Sequence, residues 1–139
     1  MPLTNAVDTD WTGWLVDGLG GREQEVCSAL AQALEARDIP KSKVRTGTLN
    51  MWWRRDSRFV DVTSNMDGDI TATIHVQEYG TSLFVGRAVA AWKQRNYYKR
   101  MASAAFLWTV DRCVEEALVT IAGRDAMHEL RDATGPEKS

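Results

Sequence analysis

The chain has 139 residues, of which 44% are apolar and 26% are charged, and its formal net charge is −2. This composition is typical of one globular domain and excludes collagen-like, low-complexity and wholly disordered chains. No apolar run approaches the ~18 residues of a membrane span, and the N-terminus lacks the pattern of a signal peptide. We therefore expect a single domain over residues 1–132, followed by a disordered tail over residues 133–139.

The basic residues are concentrated in two short stretches. Residues 39–60 carry six bases and one acid, and residues 87–100 carry five bases and no acid. A chain that is weakly acidic overall is not built as a bulk nucleic-acid binder, although local basic patches remain open.

The first third of the chain predicts helical structure. Residues 10–17 can form one or two helical turns, with Thr9 or Asp10 as the N-cap, before three glycines end them. Residues 22–38 predict a helix whose apolar stripe includes Cys27, and the proline at position 40 stops it. Cys27 and Cys113 both lie in apolar helical stretches, so we expect buried free thiols and a cytoplasmic location.

The middle of the chain predicts four strands. Residues 44–53 are rich in β-branched and aromatic side chains, and a polar connection over residues 54–57 follows them. Residues 58–64 and 70–79 alternate between apolar and polar side chains on either side of an Asp-Gly turn. Residues 82–91 form the fourth predicted strand.

The last third returns to a helical period. Residues 96–123 predict a long helix, and residues 124–132 predict a short helical tail. Consecutive strands with short connections pair antiparallel. The predicted fold is a single two-layer α+β domain: an N-terminal helix, a four-stranded antiparallel meander and a long C-terminal helix, with both helices on one sheet face.

Residues for catalysis or metal binding are sparse. His75 lies on the polar face of the third predicted strand, near Asp61 or Glu78, and these three are weak ligand candidates beside the simpler interpretation of an exposed histidine. The chain has no zinc-ligand spacing, phosphate-binding glycine loop or nucleophile elbow. We expect no catalytic residue, no metal and no cofactor.

A tryptophan and arginine cluster marks the first predicted strand and its turn: Trp52, Trp53, Arg54, Arg55 and Arg58. Aromatic side chains beside arginines can stack on bases, and the same residue types are enriched at protein contacts. Because the net charge is negative, we rank a protein contact above a nucleic-acid contact.

The long helix carries an apolar stripe roughly opposite its core face: Tyr97, Met101, Ala104 and Trp108. Since a sheet covers only one side of a helix, this stripe must meet the first helix, the segment around Trp11 and Trp14, or another chain. Lys93, Arg100 and Arg112 could rim it as charged residues rim a protein contact.

These features predict a non-catalytic protein–protein interaction module, an accessory or adaptor subunit that self-associates or docks on a larger assembly. The alternative is a nucleic-acid-binding module that uses the tryptophan and arginine cluster. A third hypothesis is a small-ligand-binding protein or enzyme built around His75.

Overall fold

Two helices lie on one face of a six-stranded antiparallel sheet in the computed structural model, which describes residues 11–51, 54–65, 70–91 and 97–130. In chain order the elements are β1 (Trp11–Val16), α1 (Glu23–Ala36), β2 (Ser42–Met51), β3 (Arg54–Ser64), β4 (Ile70–Tyr79), β5 (Ser82–Ala91), α2 (Tyr97–Ala122) and β6 (Met127–Leu130). The α+β class is confirmed, while the number and order of the elements differ from the prediction.

The central strands follow the predicted meander. The sheet order is β2-β3-β4-β5-β1-β6, so the four strands from β2 to β5 pair consecutively. β1 then joins the free edge of β5, with Trp14 opposite Val85, and β6 pairs with the far side of β1. The chain thus extends its meander by two strands taken from its two ends.

The helical prediction for residues 10–17 is wrong, because residues 11–16 form β1. Trp14 and Val16 are buried at alternate positions against the helices, and Leu15 between them points to the other face. Pairing with β5 on one side and β6 on the other satisfies the backbone groups that a lone helical turn would leave open. The predicted N-terminal helix consequently follows a strand.

Two further boundaries are corrected. Residues 54–57, expected as a polar connection, belong to β3, which pairs with β2 as far as Arg54 opposite Met51. The predicted helical tail is a single 3-10 turn, Arg124–Ala126, followed by β6. Gly123, at φ 89°, ends α2 and turns the chain back to the sheet edge. Residues 133–139 lie outside the described residues.

The hydrophobic core lies between the sheet and the two helices. α1 packs over β2, β3 and β4, whereas α2 contacts α1, β1, β4 and β6. The alternation of β4 explains its contribution, because every second side chain from Ile70 to Val76 is buried. Trp14 and Leu118 are among the largest buried side chains.

A buried ion pair joins α2 to the sheet. Arg87 of β5 occupies a helix-facing position and is 2% exposed. Its Nε donates to Asp111 Oδ1 at 2.7 Å, and its Nη2 donates to Asp111 Oδ2 at 2.8 Å and to Thr12 Oγ1 at 3.1 Å. This bidentate geometry fixes both the position and the rotation of α2 on the sheet.

Two phenylalanines partly close the opposite sheet face. Phe59 lies against Gly47 and Phe84 against Gly86, so closely that a Cβ on those glycines would come within 2.5 Å and 2.7 Å of the rings. The glycines therefore give the rings room to lie flat on the sheet. Across the described residues no helix covers this face.

We predict that Asp111→Ala lowers the free energy of unfolding by about 3–5 kcal/mol, because it leaves the Arg87 guanidinium buried without its carboxylate. Chemical denaturation of the purified chain measures this. Glu25→Ala, which removes the exposed pair between Arg22 and Glu25 at 2.7 Å and one acid from the first turn of α1, is the control and should lower the unfolding midpoint only slightly. Equal, small effects of the two substitutions would contradict the anchoring role.

We also predict slow thiol labelling in the folded chain. Burial raises the pKa of the Cys27 thiol from 9.0 to about 11 and raises that of Cys113, so both stay protonated at pH 8.

Because the pKa of Cys27 is higher in the folded chain, its contribution to the unfolding free energy is fully present below pH 9 and is lost as the pH rises towards 11. Cys27→Ser should cost about 1–3 kcal/mol. Labelling of both thiols as fast as in denaturant would contradict their burial.

Candidate functional site

The outward side of α2 carries the largest group of exposed apolar side chains on any one described element. Tyr97 is 77% exposed, Met101 62% and Trp108 61%, and Ala104 between them is also exposed. We call these four residues the α2 stripe. With ~100° per residue, they fall within about 60° of one another on the helix surface.

The core side of α2 explains why the stripe faces outward. The buried residues of this helix are Phe106, Val110, Cys113, Val114, Ala117 and Leu118. Their mean direction is roughly opposite that of the stripe. α1 meets α2 on another side, where Arg37 pairs with Glu116 at 2.7 Å. The segment around Trp11 and Trp14 belongs to the sheet. Neither α1 nor the segment around Trp11 and Trp14 therefore covers the stripe.

Two arginines flank the aromatic side chains of the stripe. The guanidinium of Arg100 lies 5.3 Å from the centroid of the Tyr97 ring, and that of Arg112 lies 5.2 Å from the Trp108 ring. Such cation–π contacts restrain both partners at the surface. Aromatic anchors with arginines at their edge are the composition that protein interfaces favour. Lys93, the third expected rim residue, lies outside the described residues.

A hollow of about 340 Å³ lies on another side of α2, and none of the four stripe residues lines it. It lies between α2 and the connection from α1 to β2, with Phe106, Ile39 and Ile70 among its apolar lining residues. The hydroxyls of Ser103 and Thr109 also line it. A space of this size and composition can accept a large side chain from a docked protein.

The tryptophan and arginine cluster is only partly described. Trp52 and Trp53 lie outside the described residues, and Arg54 and Arg55 are placed on β3 by their backbone. Arg58 is half-buried on the helix side of β3, where it lines a small hollow with Gln24 and Cys27 of α1. Arg58 thus lies beside α1, on a different element from the α2 stripe.

The weak ligand candidates are split between the two faces of the sheet. His75 and Asp61 share the face without helices, on neighbouring strands, whereas Glu78 lies at a register position of the opposite face. Arg45 Nη2 donates to Asp61 Oδ2 at 2.7 Å, a residue that sequence reasoning did not include. Burial lowers the pKa of His75, and the nearby Asp61 carboxylate opposes this, so the imidazole is neutral at pH 7.

The arrangement of His75, Asp61 and Arg45 does not resemble a catalytic or metal-binding site. The Asp61 carboxylate is already engaged by Arg45, and among the described residues no hydrogen bond joins the neutral His75 imidazole to a nucleophilic side chain. Within the described ranges, no three His, Cys, Asp or Glu side chains form a group that could hold a metal ion.

Sequence reasoning missed the pair that orients the stripe. Arg87 stands at a position of β5 where Leu83 and Val85 mark the buried face, and a cation in such a row requires a buried acid. That alternation was the available signal. The identity of the acid, Asp111, depends on how α2 crosses the sheet, which the sequence pattern does not specify.

None of the described helices is long and apolar enough to cross a membrane. Comparisons of the chain with models of protein families, with curated proteins and with solved structures find no match.

Proposed function

We propose that the chain is a non-catalytic protein–protein interaction module that binds a protein partner through the α2 stripe. The observation that carries the proposal is the exposure of Tyr97, Met101 and Trp108 on one side of a helix whose other side is packed. Leaving this much aromatic and thioether surface in water is unfavourable at ~25 cal/mol per Å². Covering it with a partner recovers that free energy.

The energetic scale of such a contact supports the proposal. A tryptophan or tyrosine anchor contributes about 2 kcal/mol or more when truncation removes it from the centre of an interface. Two such anchors with a methionine between them can form the centre of a contact whose neighbouring residues exclude water. The arginines over Tyr97 and Trp108 limit the side-chain freedom that binding must remove.

The other hypotheses have weaker support. A nucleic-acid site would need Trp52 and Trp53, which lie outside the described residues, and Arg58 is half-buried beside α1. An enzyme would need partners around His75 that the described residues do not supply. The cytoplasmic location stays part of the proposal, on the ground of two free, buried thiols.

Site-specific photo-crosslinking in the native cell tests the proposal. A photoreactive residue placed at Met101 should yield a covalent adduct with a second polypeptide, whether another protein or another copy. The control is Thr120, which is exposed on the same helix but lies outside the stripe. Failure of stripe positions 97, 101 and 108 to give any adduct above the level at Thr120 would overturn the proposal.

We predict that Trp108→Ala separates binding from folding. It should reduce the affinity for the partner at least about 30-fold, the equivalent of ~2 kcal/mol. Its effect on unfolding should be far smaller than that of Leu118→Ala, a fully buried residue whose truncation costs about 2–5 kcal/mol. Denaturation at low protein concentration and adduct yield from Met101 measure the two quantities. If Trp108→Ala unfolds the chain as severely as Leu118→Ala and leaves the adduct unchanged, the stripe is structural.

A further inference from the structure

We infer that the hollow between α2 and the connection from α1 to β2 is a binding site for a small carboxylic acid with an apolar body. This site is separate from the proposed function, because none of the stripe residues lines the hollow. Three features of the described residues carry the inference: a space with an apolar floor, a rigid wall beside it, and bases along its side.

The hollow exists because the two helices differ in length. α1 has 14 residues, whereas α2 has 26. The C-terminal end of α1 meets α2 where Cys113 Sγ donates to Ala33 O at 3.8 Å and Arg37 pairs with Glu116. The α2 residues that line the hollow lie between positions 99 and 109, before this contact, and no described residue of α1 lines it. A space is therefore left beside the N-terminal half of α2.

The hollow has the size and the lining of a small-molecule site. Such sites are concave spaces of roughly 300–1,000 Å³ with mostly apolar walls and a few polar groups. Ile39, Ile70 and Phe106, each less than a tenth exposed, form the apolar floor, and Pro40 and Ala102 extend it. The volume of about 340 Å³ equals that of about eleven water molecules at ~30 Å³ each. An apolar body of roughly that many non-hydrogen atoms would displace water from the floor, which favours binding.

The wall formed by the connection from α1 to β2 is rigid. Asp38 and Lys41 have left-handed backbone conformations, with φ 58° and 50°, which cost free energy in residues other than glycine. Hydrogen bonds from the end of β3 hold this segment: Ser64 Oγ donates to Pro40 O at 3.0 Å, and the Asn65 N–H donates to Lys41 O at 3.1 Å. The hollow is therefore formed before a ligand arrives, and this lowers the entropic cost of binding.

The polar groups along the hollow fit a single negative charge. Its lining carries two bases, Arg37 and Lys99, against one acid, Asp38. Lys99 and Ser103 are four residues apart on α2, so their side chains are neighbours and can contact the same carboxylate. An ammonium group has three N–H donors and a guanidinium has five. Both bases can therefore bind a carboxylate in addition to contacts within the chain, such as that of Arg37 with Glu116 at 2.7 Å.

The helix dipole of α2 strengthens this preference for an anion. Lys99 is the third residue of α2, near the positive end of the dipole, and the first turn of this helix contains no acid. By contrast, the first turn of α1 contains Glu23 and Glu25. A carboxylate bound beside Lys99 supplies the negative charge that α2 does not provide there. With a pKa of ~4–5, such an acid is ionised at pH 7, whereas its amide is neutral.

Titration of the full chain with hydrocinnamate, followed by two-dimensional amide NMR, tests this site. The probe has an aromatic body of about the size of the hollow and one carboxylate. It should cause saturable shifts of backbone amides at residues 37–39 and 99–109, with a dissociation constant of roughly 10 µM to 1 mM. Hydrocinnamamide, its neutral amide, should bind at least about tenfold more weakly, because it lacks the charge-assisted hydrogen bonds.

Three variants locate the bound probe. Lys99→Gln should weaken hydrocinnamate binding at least about fivefold and leave hydrocinnamamide binding unchanged. The control Lys43→Gln makes the same change of charge at an exposed position on the opposite face of the sheet, and it should leave both affinities unchanged. Ala102→Phe fills the hollow with an aromatic ring and should abolish binding of both compounds. The amide spectrum of each variant without the probe checks that it folds.

The outcomes that would overturn the inference are distinct. No saturable shifts with hydrocinnamate would exclude the site, and equal affinities for the acid and its amide would exclude the chemical class. Equal weakening by Lys43→Gln and Lys99→Gln would mean general attraction to a basic surface. Retained binding in folded Ala102→Phe together with loss in Trp108→Ala would place the probe on the stripe. All of these results leave the proposed function standing, because adducts at the stripe positions test that function.

Discussion

The ion pair between Arg87 and Asp111 decides which side of α2 faces the sheet. Arg87 is 2% exposed, and its guanidinium reaches the carboxylate through two hydrogen bonds of 2.7 and 2.8 Å. Asp111 lies three residues after Trp108, or ~60° away on the helix surface. Rolling α2 to bury Trp108 would pull Asp111 from Arg87 and leave a charge buried without its partner, at a cost of several kcal/mol. The outward orientation of the stripe is therefore a consequence of the core, and it is the same with and without a bound partner.

The sequence predicts those parts of the fold that local patterns determine. Alternation identified β4 and β5 with their observed bounds, and the 3.6-residue period identified both helices to within one or two residues. β1 and β6 were not predicted from the sequence, and the reason is the same for both. Each is short, and each is a strand because it pairs with a segment far away in the chain: β1 with β5, and β6 with β1. Local propensity over six or four residues is too weak to outweigh such tertiary pairing.

The candidate site, like the fold, was predictable only where local patterns determine it. The stripe of Tyr97, Met101 and Trp108 was predictable because helix geometry alone places residues four and eleven apart on one side. Its exposure was not, since that depends on which elements flank α2 and on the Arg87–Asp111 contact across 24 residues of chain. His75 and Asp61 were correctly placed together by strand alternation, but Arg45 entered only through the pairing of β2 with β3.

The most direct test of the central claim is the rate at which a thiol at position 101 is labelled in the folded chain, because Met101 is 62% exposed in the middle of the stripe. The buried native thiols of Cys27 and Cys113 supply the slow reference in the same protein. Thr120→Cys, at an exposed position of α2 outside the stripe, supplies the fast reference. Labelling of Met101→Cys at a rate close to that of Thr120→Cys is the predicted result. Labelling of Met101→Cys as slow as that of the native thiols, at low protein concentration, would mean that the chain buries the stripe itself and would contradict the account.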